Sequence, residues 1–336
     1  MDKIKNFFSS QYETLIGSAD YPNTHIYKTI PDDIEVHRVF INRGGSCETN
    51  LLFFADTHIV GFNDEDNHEN NPLVRESYER RMKSFSAEQT VRNVDKIMGI
   101  SPLFDKTILV GDTMDYLSNA GLDFINQQIY NKNPNTLILV GNHDDTRIAG
   151  HKGKDLTTRE SREGILEKHI KTDIFYHSEQ IGENTLLIGL NNCHRRYTLE
   201  QKQRLESDIE YAREQNLTII IAQHEMINTG NPEDDKLPAL LVKSNWCYNA
   251  AYNFYNGNDK IGTYKDDEIT SAVYGMITSN ADVIGAIVCG HWHNAAYCEI
   301  NASYTKDGVT VPHVIPQYVV ASSAYSNPFV TIVTIK

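Results

Sequence analysis

The sequence predicts a layered α/β protein built on mixed sheets, and three observations carry that prediction. Five apolar runs, Leu51–Ala55, Thr107–Val110, Thr136–Val140, Thr218–Gln223 and Val283–Cys289, are rich in aliphatic and β-branched residues and read as buried strands. Stretches with helical spacing separate them, and strands alternating with helices give α/β layers. Beyond the fifth run the chain turns strand-rich, with Ala296–Ile300, Val309–Pro312, Gln317–Ser322 and Phe329–Ile335.

Taken in order, residues 25–42 supply two short strands, His25–Ile30 and Ile34–Ile41, ahead of the first run. Helices are expected over 73–83, 86–99, 118–131, 158–170, 198–215 and 267–279. The stretch 198–215 is marked most clearly: Thr198 with Gln201 forms a capping box, and Leu205, Ile209 and Ala212 recur at helical spacing. A further strand ends at 191–194, just before Arg195 and Arg196. The segment 228–278 breaks the rhythm, being rich in Asn, Asp, Gly and Tyr and carrying Trp246 and Tyr255. An insertion between two strands that bear site residues must pass over or beside the site. Its aromatic rings either stack on a substrate ring or pack a small core of the insertion itself. No repeat or long linker divides the chain, so residues 1–336 are expected to form a single domain with this insertion.

With 336 residues, 40% hydrophobic and 23% charged, the composition is that of a globular protein with an ample core. The balance of 31 basic against 45 acidic residues gives a formal net charge of −14, which repels polyphosphate backbones, so nucleic acid is not expected as a partner. Acidic clusters at 63–71 and 233–236 read as solvated loops. The first residues lack the apolar core of a secretory signal, and no run approaches a membrane span. The five cysteines have no C-x-x-C spacing and read as reduced thiols. A cytoplasmic protein that does not engage membranes is the expectation.

The chemistry lies where the apolar runs end: Asp56-Thr57-His58, Gly111-Asp112, Gly141-Asn142-His143-Asp144, His224 and Gly290-His291-Trp292-His293. The carboxyl edge of an open α/β sheet is where sites form, so these motifs should share one crevice. Carboxylate, imidazole and amide oxygen are the hard or borderline ligands that suit a divalent metal able to bind phosphate. Asp56 and His58 are two residues apart, close enough to share an ion, and His291 and His293 repeat that spacing after Gly290. Asp112 has two oxygens with which to bridge two ions, and Asn142 supplies oxygen without charge. His224 completes a set of two Asp, four His and one Asn.

The series D-x-H, G-D, G-N-H-D, H and G-H-x-H resembles that of the calcineurin-like metallophosphoesterases, from about residue 51 to 293. The resemblance implies two mixed sheets in a sandwich flanked by helices, with two divalent ions at one edge: Mn first, with Fe, Zn or Ni as alternatives. It implies that Asp56, His58 and His293 hold one ion and Asn142, His224 and His291 the other, with Asp112 bridging. His143 would protonate the leaving group or stabilise the transition state, and Asp144 would orient it. The position of the purple acid phosphatase tyrosinate is taken here by Asp115, with Tyr116 one place too late. The G-D-x-x-D-R-G arginine of Ser/Thr protein phosphatases is also missing, since Tyr116-Leu117 follow Asp115. The layout is most similar to bacterial phosphodiesterase-like members. The implied reaction is hydrolysis of a small phosphoester, foremost a nucleotide-like diester, by a hydroxide bridging the two ions. Phosphomonoesterase is the alternative, and a nuclease a more distant one that the net charge opposes. A scaffold that has lost its metals would not keep every ligand. Arg147 and Arg195 are candidates for phosphate contacts, Trp246 and Tyr255 for the remainder of the substrate.

Overall fold

The computed structural model describes residues 30–43, 46–61, 66, 72–83, 86–146, 158–193, 196–227, 268–324 and 327–336. Among these, two mixed sheets form. The first has the order β1 (Glu35–Ile41), β11 (Phe329–Ile335), β2 (Thr49–Phe54), β3 (Lys106–Val110), β4 (Thr136–Leu139). The second has the order β5 (Tyr176–Ile181), β6 (Thr185–Leu190), β7 (Thr218–Gln223), β8 (Ile284–Cys289), β10 (Val309–Val319), β9 (Ala296–Lys306). Strands β2, β3 and β4 run parallel, as do β6, β7, β8 and β10, while β11–β2, β5–β6 and β9–β10 are antiparallel.

Why two sheets pack face to face follows from the period-two alternation of side chains along a strand. Leu51, Phe53, Ile108, Val110, Leu137 and Leu139 point from the first sheet into one shared core. There they meet Leu187, Ile220, Ala222, Ala286 and Val288 of the second. The alternate residues Leu52, Phe54, Leu109 and Ile138 point outward. They are covered by α2 (Ala87–Ile100), α3 (Asn119–Phe124) with the π-helical turn Ile125–Tyr130 that continues it, and Leu166 of α4 (Arg159–His169). On the other side, Leu186, Ile188, Ile219 and Ile221 pack against Leu205 and Ile209 of α5 (Leu199–Glu214) and Val273 and Ile277 of α6 (Glu268–Thr278). The helix α1 (Pro72–Met82) precedes α2. Strands buried on two faces, such as β2, β3 and β7, therefore have apolar centres with polar residues only at their ends, which is what made those runs legible.

The expected helices all appear, within one or two residues of their expected ends, and the Thr198–Gln201 capping box is present in both directions. Three expectations need correction. The hairpin of β5 and β6 precedes α5, and β6 ends at Leu190 rather than at 191–194. Strand β5 escaped the sequence reading because it is an edge strand with polar, partly exposed residues at its centre. Val309–Pro312 and Gln317–Val319 belong to one continuous strand, β10, which ends three residues short of the expected Ser322, and β9 runs on to Lys306. The first strand expected at 25–30 lies outside the described residues, save for Ile30 in a bend. The segment 228–278 is described only from Glu268, where it forms α6 and packs on the second sheet; 228–267, with Trp246 and Tyr255, lies outside the described residues.

Candidate metal centre

The carboxyl ends of β2, β3 and β4 in one sheet and of β7 and β8 in the other open onto the same edge, and each delivers its motif there. The seven expected ligands converge. Asp56, His58, Asp112 and His293 form one group able to hold an ion, and Asp112, His224 and His291 another, so that Asp112 is common to both. Asp112 Oδ2 lies 3.6 Å from His58 Nε2 and 3.2 Å from His224 Nε2. Asp56 Oδ1 is 3.5 Å from His293 Nε2 and 3.8 Å from His58 Nε2. Asn142 Oδ1 is 3.2 Å and His291 Nδ1 3.3 Å from His224 Nε2.

The backbone shows how much the site asks of the chain. Asp56 (φ 52°), His58 (φ 43°), Asp112 (φ 49°), His291 (φ 71°) and His293 (φ 64°) are all left-handed. For residues with a Cβ that conformation is disfavoured, and it persists where the surroundings over-determine it. The motif glycines permit close approach. A Cβ on Gly141 would lie 2.1 Å from Asp112 N, and one on Gly290 2.7 Å from Asp56 Oδ2. At the last motif the positive φ angles fall on His291 and His293 and not on Gly290, whose role is the absence of a side chain.

Proton bookkeeping on the rings tests whether the residues fit a cation. His224 Nδ1 is 2.9 Å from the Val110 carbonyl, which can only accept, so Nδ1 carries the proton. Its Nε2 lone pair then faces a carboxylate oxygen and an amide oxygen. His58 Nδ1 likewise donates to Asp115 Oδ1 at 2.9 Å, leaving Nε2 directed at Asp112, Asp56 and His293. Acceptors aimed at one another are satisfied only by a proton or a cation. Ligands about 2.0–2.2 Å from a tetrahedral ion stand roughly 3.3–3.6 Å apart, close to the separations found here. The donor set fits divalent metals.

The electrostatics agree. Burial pushes Asp56 well above the usual carboxylate range, with Asp112 adding to the effect. Burial also opposes ionisation of Asp112, but His224 and His143 outweigh it and hold its carboxyl well below that range. For His224, burial works against the charge, yet Asp112 overcomes it and raises the ring to about 10. For His293 burial dominates, and the ring is pushed down to about 2.

Two expected roles change. Asp112 was expected to bridge with both oxygens, but Oδ1 accepts the His143 amide at 2.8 Å and only Oδ2 faces the two groups. Asp144 was expected to orient His143. Its carboxylate instead accepts the amides of Gly141 (2.8 Å), Met114 (2.8 Å) and Thr113 (3.3 Å), tying the third motif to the second. His143 is oriented by Asp115: Nδ1 is 2.9 Å from the Asp115 carbonyl and 3.3 Å from its carboxylate. Asp115, fully buried, was missed as a site residue, though its spacing after Gly111-Asp112 was visible in the sequence. Tyr116 is bonded to the backbone of Gly61. Arg147 and Arg195 lie outside the described residues.

No protein-family model and no curated protein matches the sequence. Three solved structures resemble it distantly. A dimetal phosphatase from Danio rerio is 11% identical with a TM-score of 0.44, over 83% of this chain and 89% of that one. The purple acid phosphatase PPD1 from yellow lupin is 13% identical with a TM-score of 0.48, over 84% of this chain and 46% of that one. A Staphylococcus aureus protein described as a 5′-nucleotidase, in complex with alpha-ketoglutarate, is 12% identical with a TM-score of 0.33, over 84% of this chain and 55% of that one. The chain thus spans about half the length of the latter two.

Proposed function

We propose that this chain is a metal-dependent phosphoester hydrolase of the calcineurin-like type, acting on a small phosphodiester such as a nucleotide. The observation that carries the reading is the convergence of two ligand groups on the single oxygen Asp112 Oδ2. In this reading Asp56, His58 and His293 hold one divalent ion, Asn142, His224 and His291 the other, and Asp112 both. Such ions supply a water of lowered pKa and Lewis-acid stabilisation of the phosphoryl oxygens.

The remaining chemistry belongs to side chains. Burial opposes a charge on His143, but Asp112 and Asp115 together raise the ring to about 9. In the metal-free protein it therefore carries two protons at neutral pH. One is committed at Nδ1 to Asp115, and the other, at Nε2, is available to a departing oxygen. Asp56, Asp112, Asp115 and Asp144 are all buried around the centre. The diester is placed ahead of the monoester on the motif layout, which is most similar to that of bacterial phosphodiesterase-like members. The Mn-loaded protein tests this with bis(p-nitrophenyl) phosphate, p-nitrophenyl phosphate, and cyclic and linear nucleotides. The diester should show the higher kcat/KM. Turnover of the monoester alone would replace the diester reading by the phosphomonoesterase one, and hydrolysis of neither would end both.

A further inference from the structure

Outside the five motifs, one buried residue contacts the backbone of two of the strained ligands, Asp56 through its side chain and His293 through its amide. Ser322 follows β10, and its Oγ donates to the carbonyl of Asp56 at 2.6 Å. The amide of the same residue donates to the carbonyl of His293 at 3.1 Å. Its Oγ in turn accepts the amide of Ala324 at 3.1 Å, which fixes the hydroxyl's direction. Ser322 also forms an isolated parallel bridge with Ala55. The next residue continues the pattern: the Ser323 amide donates to Ala55 O at 3.0 Å, and Asn93 Nδ2 on α2 donates to Ser323 O at 3.0 Å. The loop is thus pinned from the outer helix layer and pins the first motif in turn.

We propose that Ser322 is a positioning residue for the ion assigned above to Asp56, His58 and His293, an inference that rests on the metal reading. Asp56 and His293 are left-handed, at φ 52° and 64°, and Asp56 is wholly buried, so no water replaces the hydroxyl at its carbonyl. Without that hydrogen bond the Asp56 carbonyl loses its hydroxyl partner, the amide stays on Gly111 O (3.1 Å) and the carboxylate on the His291 amide (2.9 and 3.1 Å), and the left-handed peptide relaxes enough to shift the carboxylate. The second group is held by other contacts. His224 is fixed by Val110 O at Nδ1 and by the Gly290 amide at its carbonyl, and the carbonyl of Asn142 by Thr146 Oγ1. Ser322 is therefore expected to act on one ion and not on the other.

Titration of metal-free protein with Mn²⁺, with free Mn²⁺ read by electron paramagnetic resonance, tests this. The wild type should bind two ions. Ser322→Ala should keep one at wild-type affinity and bind the other about 10–100-fold more weakly, the range for residues that support metal ligands. Ser322→Thr, which keeps the hydroxyl, should restore the second. In a His293→Ala background, Ser322→Ala should leave the remaining ion unchanged. If the alanine variant does not fold, Ser322→Cys, with its weak donor, should show an intermediate loss at the same ion. Equal weakening of both ions, wild-type affinity at both, or a threonine variant no better than alanine would overturn the positioning role alone. A wild-type chain that binds no Mn²⁺ would overturn the metal reading with it.

Discussion

The carboxylate of Asp115 reaches His58 and His143 at once: Oδ1 lies 2.9 Å from His58 Nδ1 and 3.3 Å from His143 Nδ1. It therefore fixes the tautomer of an expected ligand and the charge of the expected acid. Asp115→Asn removes the charge and keeps the shape. The expected result is a 10–100-fold loss of activity. Because Asp115 is one of the groups that raise His143, the alkaline limb of the kcat profile should move to lower pH. A pH–rate profile of the variant with an unshifted limb would show that Asp115 does not tune His143.

His143→Ala separates the acid from the ligands. Its side chain makes its hydrogen bond to Asp115, while its backbone amide supports Asp112 and survives the change. Activity should fall about 10²–10⁴-fold, the range for loss of a general acid, with metal content intact. Metal loss on elemental analysis would mean that His143 is a ligand.

Metal affinity should rise with pH. In the metal-free protein His224 is raised to about 10 by Asp112, and Asp56 sits well above the usual carboxylate range. His224 therefore carries a proton at Nε2 at pH 7, which an ion must expel to reach that lone pair, and any proton held by the raised Asp56 carboxyl is expelled with it. Proton release on binding favours the complex as pH rises towards about 10 for His224. Calorimetric titration in buffers of different ionisation enthalpy measures that release. A binding enthalpy that does not vary with the buffer would contradict it.

Gly141→Ala tests the close packing of the motifs. A Cβ there would meet Asp112 N and Oδ1 at 2.1 Å, and neither can yield without moving the shared carboxylate. Both ions should be lost together, since Asp112 serves both groups. Two bound ions in the purified variant would show that the second and third motifs are looser than described.

Much of this was legible because the carriers of function follow strands buried on both faces. Thr218–Gln223 can hardly be anything but a central strand, and His224 at its end is placed by that fact alone. Tyr176–Ile181 was not legible, because an edge strand has no second apolar face to advertise. Pro312 and Pro316 split β10 in the sequence reading. Over Val309–Pro316 the strand pairs only with β9, and an open edge tolerates proline. Within the site, residue types announced the ligands but not their supports. The hydroxyl of Ser322 and the carboxylate of Asp115 work through contacts 266 and 57 residues distant in sequence, and no local pattern encodes such pairings. The reassignment of Asp144 has the same cause: adjacency to His143 suggested a contact that the turn directs elsewhere.

The most direct test is the metal content of the intact chain. Protein purified without chelator and reconstituted with Mn²⁺ should approach two ions per chain by elemental analysis, because two ligand groups share Asp112. A plateau at zero, in protein whose circular dichroism shows the fold intact, would contradict the account at its root.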